Sequence, residues 1–167
     1  MQRQSGFTLI ETLVVVAILG LLAAISIPLT LNSLNRSKQA RTMADIRAVG
    51  SAWEMRNTEV KAYNAAGARF SLPATTLTAA NLTRILSPTY MRNVPTSDGW
   101  GGTLDFRADS QIANAKQATT YGIRSRGRGG IQDRARTYNT GATTNFDCDI
   151  IFSQGGFMVY PEGKQTQ

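Results

Sequence analysis

The sequence has no histidine and a single cysteine, Cys148. Without histidine, the chain lacks the side chain most often used as a general base and as a metal ligand. Zinc chemistry and the usual nucleophile–histidine arrangements are excluded with it. With one cysteine, no internal disulfide can form. Charge is also missing over a long stretch: residues 12–35 carry none. Acidic residues are few, 11 against 18 Lys and Arg, which leaves a formal net charge of +7. That balance favours anionic lipid, acidic partners or nucleic acid. A chain of 167 residues has the length of about one domain. Setting the uncharged stretch aside leaves enough for one small head with a modest core.

The uncharged stretch is strongly apolar. Leu13, Val14, Val15, Val16, Ile18, Leu19, Leu21, Leu22, Ile25, Ile27, Leu29 and Leu31 would cover every face of a helix. A helix apolar all round belongs in lipid or deep inside protein, and this run is long enough to span a bilayer. Glu11 stands at its head. A charge placed inside lipid costs roughly 2.5–3.5 kcal/mol on insertion scales, so this carboxylate calls for a partner, best supplied by an assembly. Past Asn32 the pattern narrows to a stripe. Leu34, Met43, Ile46, Val49, Trp53 and Val60 recur at helical spacings. Ala40, Ala44, Ala48 and Ala52 support the helix, and Arg36, Arg41, Asp45, Arg47, Glu54 and Arg56 take other faces. The spacing predicts one helix over residues 7 to about 65, ended near Gly67 and roughly 90 Å long. Gly20 and Pro28 lie inside it. Pro28 removes the bond to the Ala24 carbonyl, which membrane helices tolerate because neighbours satisfy the backbone. Arg36, Lys38 and Arg41 just past the run fit a stem that touches lipid headgroups.

The segment Ser5-Gly6-Phe7-Thr8-Leu9-Ile10-Glu11 resembles the class III signal of type IV pilins and type II secretion pseudopilins. The resemblance implies a leader of residues 1–6 removed by a prepilin peptidase between Gly6 and Phe7, then N-methylation of the new Phe7 amine. Losing Arg3 with the leader lowers the net charge by one. An ordinary secretory signal places its apolar core before the cut and is discarded with it, whereas here the apolar run stays in the product. In the family, the carboxylate corresponding to Glu11 meets the free amine of a neighbouring subunit's first residue, here Phe7. Gly20 and Pro28 match a helix-breaking glycine and proline of the family, in a stretch often unwound in filaments; a harmless kink is the other reading. A plain membrane anchor would account for the apolar run but not for Gly6, Phe7 and Glu11.

Beyond the helix, residues 69–78 read as a loop containing Pro73. Thr78 is placed to cap a short helix through Leu82, Ile85 and Leu86. Asp98-Gly99 signals a tight turn, and Trp100 between glycines suggests a ring folded onto the head. Residues 104–107, 120–125 and 149–159 have strand composition. Gly155-Gly156 splits the last into Ile150-Ile151-Phe152 and Phe157-Met158-Val159, a hairpin. The fold expected is α+β, a long helix packed on a small antiparallel sheet. Residues 126–146 form a long Gly-, Thr- and Arg-rich connection. The expected organisation is a leader over 1–6, a transmembrane or filament-core half of the helix over 7–33, its amphipathic half over 34–66, and a head over 67–167. Leu86-Ser87-Pro88-Thr89-Tyr90, Val94-Pro95 and Asp98-Gly99-Trp100-Gly101 resemble the major-pseudopilin branch of the same family, with Gly99 in place of a proline, and imply the pilin fold.

The same resemblance places a calcium site in the long connection. Ser125 and Gly127 fit its start, and Asp147 and Asp149 its end. Gly129 stands where the family has an acidic residue, with Asp133 as a substitute. Calcium takes six to eight oxygens, and Arg126 and Arg128 nearby oppose a divalent cation. The alternative is a solvated loop closed by Arg–Asp pairing. The run Arg124-Ser125-Arg126-Gly127-Arg128-Gly129-Gly130 also invites a nucleic-acid reading. It is short, and only Tyr121 and Tyr138 supply aromatics, which favours a solvent-facing charged loop. Cys148, between two aspartates, reads as a small buried apolar residue.

These features together imply a structural subunit with no catalytic machinery. It would be held in the bacterial inner membrane by one span, head in the periplasm, and polymerised into a homo-oligomeric helical pseudopilus. Partners implied by the resemblance are other pseudopilins, the prepilin peptidase and the inner-membrane assembly platform. A surface type IV pilus for adhesion, motility or DNA uptake is the alternative, and a membrane-tethered binding module is a third reading.

Overall fold

The structure, a computed structural model, describes residues 7–60, 69–71, 73, 75–108, 120–130 and 137–166. The chain divides into two units, residues 1–36 and 37–167. Helix α1 (Leu9–Val60) begins in the first and supplies a core face to the second. It remains helical through Gly20 and Pro28. The expected end near Gly67 falls outside the described residues.

In the first unit every large apolar side chain from Leu13 to Leu31 is exposed. Two threonine hydroxyls of α1 turn back on the helix. Thr12 Oγ1 donates to the Leu9 carbonyl at 2.9 Å, and Thr30 Oγ1 to the Ser26 carbonyl at 2.9 Å. They thus satisfy themselves without an outside partner. Among the described residues, α1 is the one helix long and apolar enough to cross a membrane.

In the second unit the helical stripe meets a sheet. Ile46, Val49, Ala52 and Trp53 are buried with Leu82 and Leu86 of α2 (Ala79–Leu86). Leu34, expected in the stripe, is exposed instead. Thr78 caps α2 as its sequence suggests, its Oγ1 accepting from the Asn81 amide at 3.3 Å. The strands are β1 (Arg69–Ser71), β2 (Thr75–Leu77), β3 (Asp105–Ala108), β4 (Tyr121–Ser125), β5 (Thr137–Asn139), β6 (Gly141–Asn145), β7 (Ile150–Ser153) and β8 (Gly156–Thr166). Six of them form one sheet in the order β2-β3-β4-β7-β8-β6, and β1 pairs with β5 separately. Leu77, Leu104, Phe106, Ala108, Tyr121, Ile123, Ile150 and Phe152 complete the core. Side-chain alternation along β7 sends Ile151 to a second cluster with Val159.

The expected α+β fold, a long helix on a small and mostly antiparallel sheet, is what the structure has, with corrections of detail. The stretch read as a loop over 69–78 contains β1 and β2, and the long connection contains β5 and β6. Short polar strands such as Thr75–Leu77 carry too few apolar residues to announce themselves. The last strand runs on to Thr166, well past Val159. The sheet is mixed, because β6 pairs parallel with β8 while the other pairs are antiparallel. β8 is 11 residues long against 4 for β7, and its outer edge takes a further strand. The β7–β8 hairpin is as expected: Phe152 opposes Phe157 and Ser153 opposes Gly156, with positive φ at Gln154 and Gly155. Cys148, finally, is half-buried.

The Trp100 turn comes close to the backbone of α1. A Cβ on Gly99 would collide with the Lys38 carbonyl of α1. The Gly99 amide donates to Thr42 Oγ1 at 2.8 Å. A proline here would lose that donor and push ring atoms at the helix backbone, which explains the departure from the family's proline. Gly50 plays the matching role on α1, where a Cβ would strike the Phe152 ring. Gly99→Ala is expected to destabilise the full chain by about 1–3 kcal/mol, lowering its melting temperature in detergent by about 2–10 °C. Gly130→Asn, at φ 60° with open space around it, is expected to leave the melting temperature nearly unchanged, since asparagine tolerates that conformation.

Candidate functional site

Three groups of residues carry the chemistry. The first opens α1. Thr8 precedes the helix, and Glu11 stands in its first turn. Glu11 Oε2 accepts from the Thr8 amide at 2.9 Å and from Thr8 Oγ1 at 2.8 Å. In return, Thr8 Oγ1 accepts from the Glu11 amide at 3.4 Å. This is a capping box, in which two otherwise unpaired amides are satisfied reciprocally. A carboxylate in the first turn also suits the positive end of the helix dipole. Thr8 was legible from its T-x-x-E spacing and was missed. Phe7 is 80% exposed. Gly6 lies outside the described residues.

The second group surrounds Asp98, whose carboxylate is buried. Oδ1 accepts from the Trp100 amide at 3.0 Å and the Gly102 amide at 2.7 Å, closing the turn. Oδ2 accepts from Ser125 Oγ at 2.7 Å. Asp98 thus ties the Trp100 turn to strand β4, and Thr42 ties the same turn to α1. Trp100 packs against the core, as its flanking glycines suggested.

The third group lies under the region read as a basic loop. Arg124 is 2% exposed. Its Nη2 donates to Asp105 Oδ2 at 2.7 Å and its Nη1 to the Tyr138 hydroxyl at 2.8 Å. Asp149 Oδ2 lies 3.7 Å from Nη1 and accepts from the Tyr138 hydroxyl at 3.0 Å. Arg107 Nε donates to Asp105 Oδ2 at 3.0 Å. Burial works against the charge on Arg124, but Tyr138, Asp105 and Asp149 outweigh it and raise the guanidinium pKa. Burial also pushes the Tyr138 phenol up to about 12. Tyr121, whose hydroxyl donates to Glu54 Oε1 at 2.7 Å, is raised further still by burial and by that bond. Arg124 is therefore part of the interior and cannot reach a phosphate backbone.

The described candidate calcium ligands, Ser125, Asp147 and Asp149, are each engaged by protein partners. Ser125 Oγ is committed to Asp98 and accepts from the Gly127 amide at 3.2 Å. Asp149 belongs to the Arg124 network. Asp147 is held by Arg128 through two parallel bonds, Nε to Oδ1 and Nη2 to Oδ2, both 2.9 Å. Asp133 lies outside the described residues. Among the described residues no three His, Cys, Asp or Glu side chains converge on one point. Among the described residues, this donor set does not supply the six to eight oxygens that calcium takes.

Comparison with known proteins finds two kinds of relative. The model of a family described as the prokaryotic N-terminal methylation motif matches residues 1–27. The chain is similar to the type II secretion system core protein G of Pseudomonas aeruginosa, 45% identical over 62 residues, which cover 37% of this chain and 44% of that protein. It is 30% identical over 112 residues to the core protein G of Aeromonas hydrophila, covering 66% of this chain and 78% of that one. It is 34% identical over 119 residues to a type IV major fimbrial protein FimA of Dichelobacter nodosus, covering 70% of each. No solved structure matches.

Arg124→Met would strand two buried carboxylates, and breaking a buried ion pair from one side costs about 3–5 kcal/mol. The urea midpoint of the full chain is expected to fall accordingly, while Arg92→Met, on an exposed residue, leaves it unchanged. Alkali provides a second check. Tyr138 has an ordinary pKa of 10.0 and holds its proton to about 12 in the fold. The unfolded chain therefore loses protons first, and stability falls as pH rises from 10 towards 12. Melting curves across that range should show the decline, with Tyr121 contributing in the same direction.

Proposed function

We propose that this chain, which belongs to the family of type IV pilins and type II secretion pseudopilins, is the structural subunit of a type II secretion-like pseudopilus. A prepilin peptidase cuts between Gly6 and Phe7, and the new Phe7 amine is N-methylated. The match of residues 1–27 to the methylation motif supports both steps. The mature subunit waits in the inner membrane, its apolar stretch in lipid and its head in the periplasm, and is then drawn into a helical filament with other pseudopilins. It acts by assembling and performs no catalysis of its own.

The observation that carries this reading is Glu11 at the start of a helix that holds no further charge through residue 35. The large side chains of that stretch are uncovered in the isolated subunit, so lipid or neighbouring subunits must cover them. An unpaired carboxylate in such surroundings is costly. The Phe7 amine of an adjacent subunit neutralises it, and entry to the filament is favoured only in the register where the two charges meet. In the free subunit Thr8 occupies the carboxylate instead. The Thr8 bonds are local and remake readily, so they hold Glu11 without competing strongly against a full opposite charge.

A surface pilus is the second reading, supported by the similarity to the Dichelobacter fimbrial protein. The Asp98-Gly99-Trp100-Gly101 turn and the lack of a second cysteine favour the pseudopilus. Electron microscopy of sheared material separates them, because long surface fibres would indicate a pilus. Glu11→Ala and Glu11→Val are expected to be cleaved normally but to form few or no filaments. Mass spectrometry of the mature protein should find Phe7 first, carrying one methyl group. Filaments at wild-type yield from either variant would refute the pairing.

A further inference from the structure

We propose that Arg128 replaces a divalent cation as the staple of the head, closing the turn just after β4 onto the β6–β7 turn and making the fold independent of calcium. This inference concerns the head alone and does not depend on which filament the chain builds.

The two segments are in backbone contact. The Arg128 amide donates to the Phe146 carbonyl at 2.9 Å. Gly127 has φ 63°, and a Cβ there would lie 2.5 Å from the Phe146 carbonyl oxygen and 2.6 Å from that of Cys148. Only glycine allows this approach. The opposing turn is built independently: the Asp147 amide donates to Asn145 Oδ1 at 2.9 Å and the Cys148 amide to the Asn145 carbonyl at 3.2 Å. Phe146, 1% exposed, anchors it in the interior. Asp147 is thus presented outward on a hydrogen-bonded turn, opposite Arg128.

A carboxylate so placed attracts a cation, and the chain supplies one. The planar guanidinium of Arg128 matches both oxygens of Asp147 at 2.9 Å each, the fork geometry that gives Arg–carboxylate pairs their strength. The Asp147 hydrogen bond and charge raise the Arg128 pKa. Among the described residues, the other candidate ligands are committed elsewhere. Asp149 faces Arg124 and Tyr138, and Ser125 donates to Asp98. Asp147 is already paired with Arg128, and Asp105 and Asp149 with Arg124, so each of these carboxylates has its cation without a divalent ion. A guanidinium stays charged at any workable pH and cannot be chelated away. The pair is half-exposed, at 31% and 41%, so it differs from a metal in a second way: salt weakens it.

The test uses the full chain in detergent micelles. Melting is followed in millimolar calcium chloride and in chelator. The two melting temperatures are expected to agree. A saturated calcium site would raise the melting temperature by about 5–10 °C, and a rise of that size would overturn the proposal. Arg128→Gln and Asp147→Asn address the pair itself. Each should lower the melting temperature at low salt, and the double variant should lower it no further than either alone. The difference from wild type should fade near 1 M salt, where screening acts within about 3 Å. Additive losses, or losses indifferent to salt, would show that the two residues do not form the staple.

Discussion

From Leu13 to Leu31 helix α1 leaves its large apolar side chains uncovered, and this exposure is the constraint on which the rest depends. Water cannot be the resting solvent of such a surface. The helix must be surrounded by lipid or by copies of itself, and each alternative forbids loose charge. The chain obeys over residues 12–35. Its two threonine hydroxyls there bond to their own backbone, and the only carboxylate nearby sits in the first turn under a threonine cap. The apolar stretch and the acid at its edge are two halves of one electrostatic problem. In the proposed filament, that problem is solved by a neighbour's terminus.

The head answers a different constraint, which is how to seat a sheet on the helix without a disulfide or a large core. It does so with small residues at the points of contact and polar hubs around them. Gly50 admits the Phe152 ring, and Gly99 lets the Trp100 turn rest on the Lys38 carbonyl. Asp98 then binds that turn to β4, while Thr42 binds it to α1. On the far side, Arg124 joins β3, β4 and the residue before β7 through Asp105 and Asp149. A buried ionic group of this kind adds little net stability over an apolar one, but its geometry is unforgiving, so it sets which strands lie together.

The arginines show where reasoning from sequence reaches its limit. The run from Arg124 to Gly130 reads as one solvated basic loop. In the structure its members part company: Arg124 is interior, Arg126 half-buried, and Arg128 forked onto Asp147. β4 continues through Ser125 before the chain turns, so neighbours in sequence have different surroundings. The aspartates behave likewise. Asp147 and Asp149, grouped as metal ligands by the resemblance, face different partners.

What the sequence determined by itself is what depends on near neighbours along the chain. The apolar run, the stripe of Ile46, Val49 and Trp53, the Thr78 cap and the β7–β8 hairpin all follow from periodicity or turn chemistry within a few residues. Only the tertiary structure decided the parallel seat of β6 beside β8, the burial of Arg124 and the pairing of Arg128. Those depend on residues such as Asp105, Arg124 and Asp149 meeting from distant parts of the chain. A charge carries no mark of its partner until folding brings the partner within reach and removes the water between them.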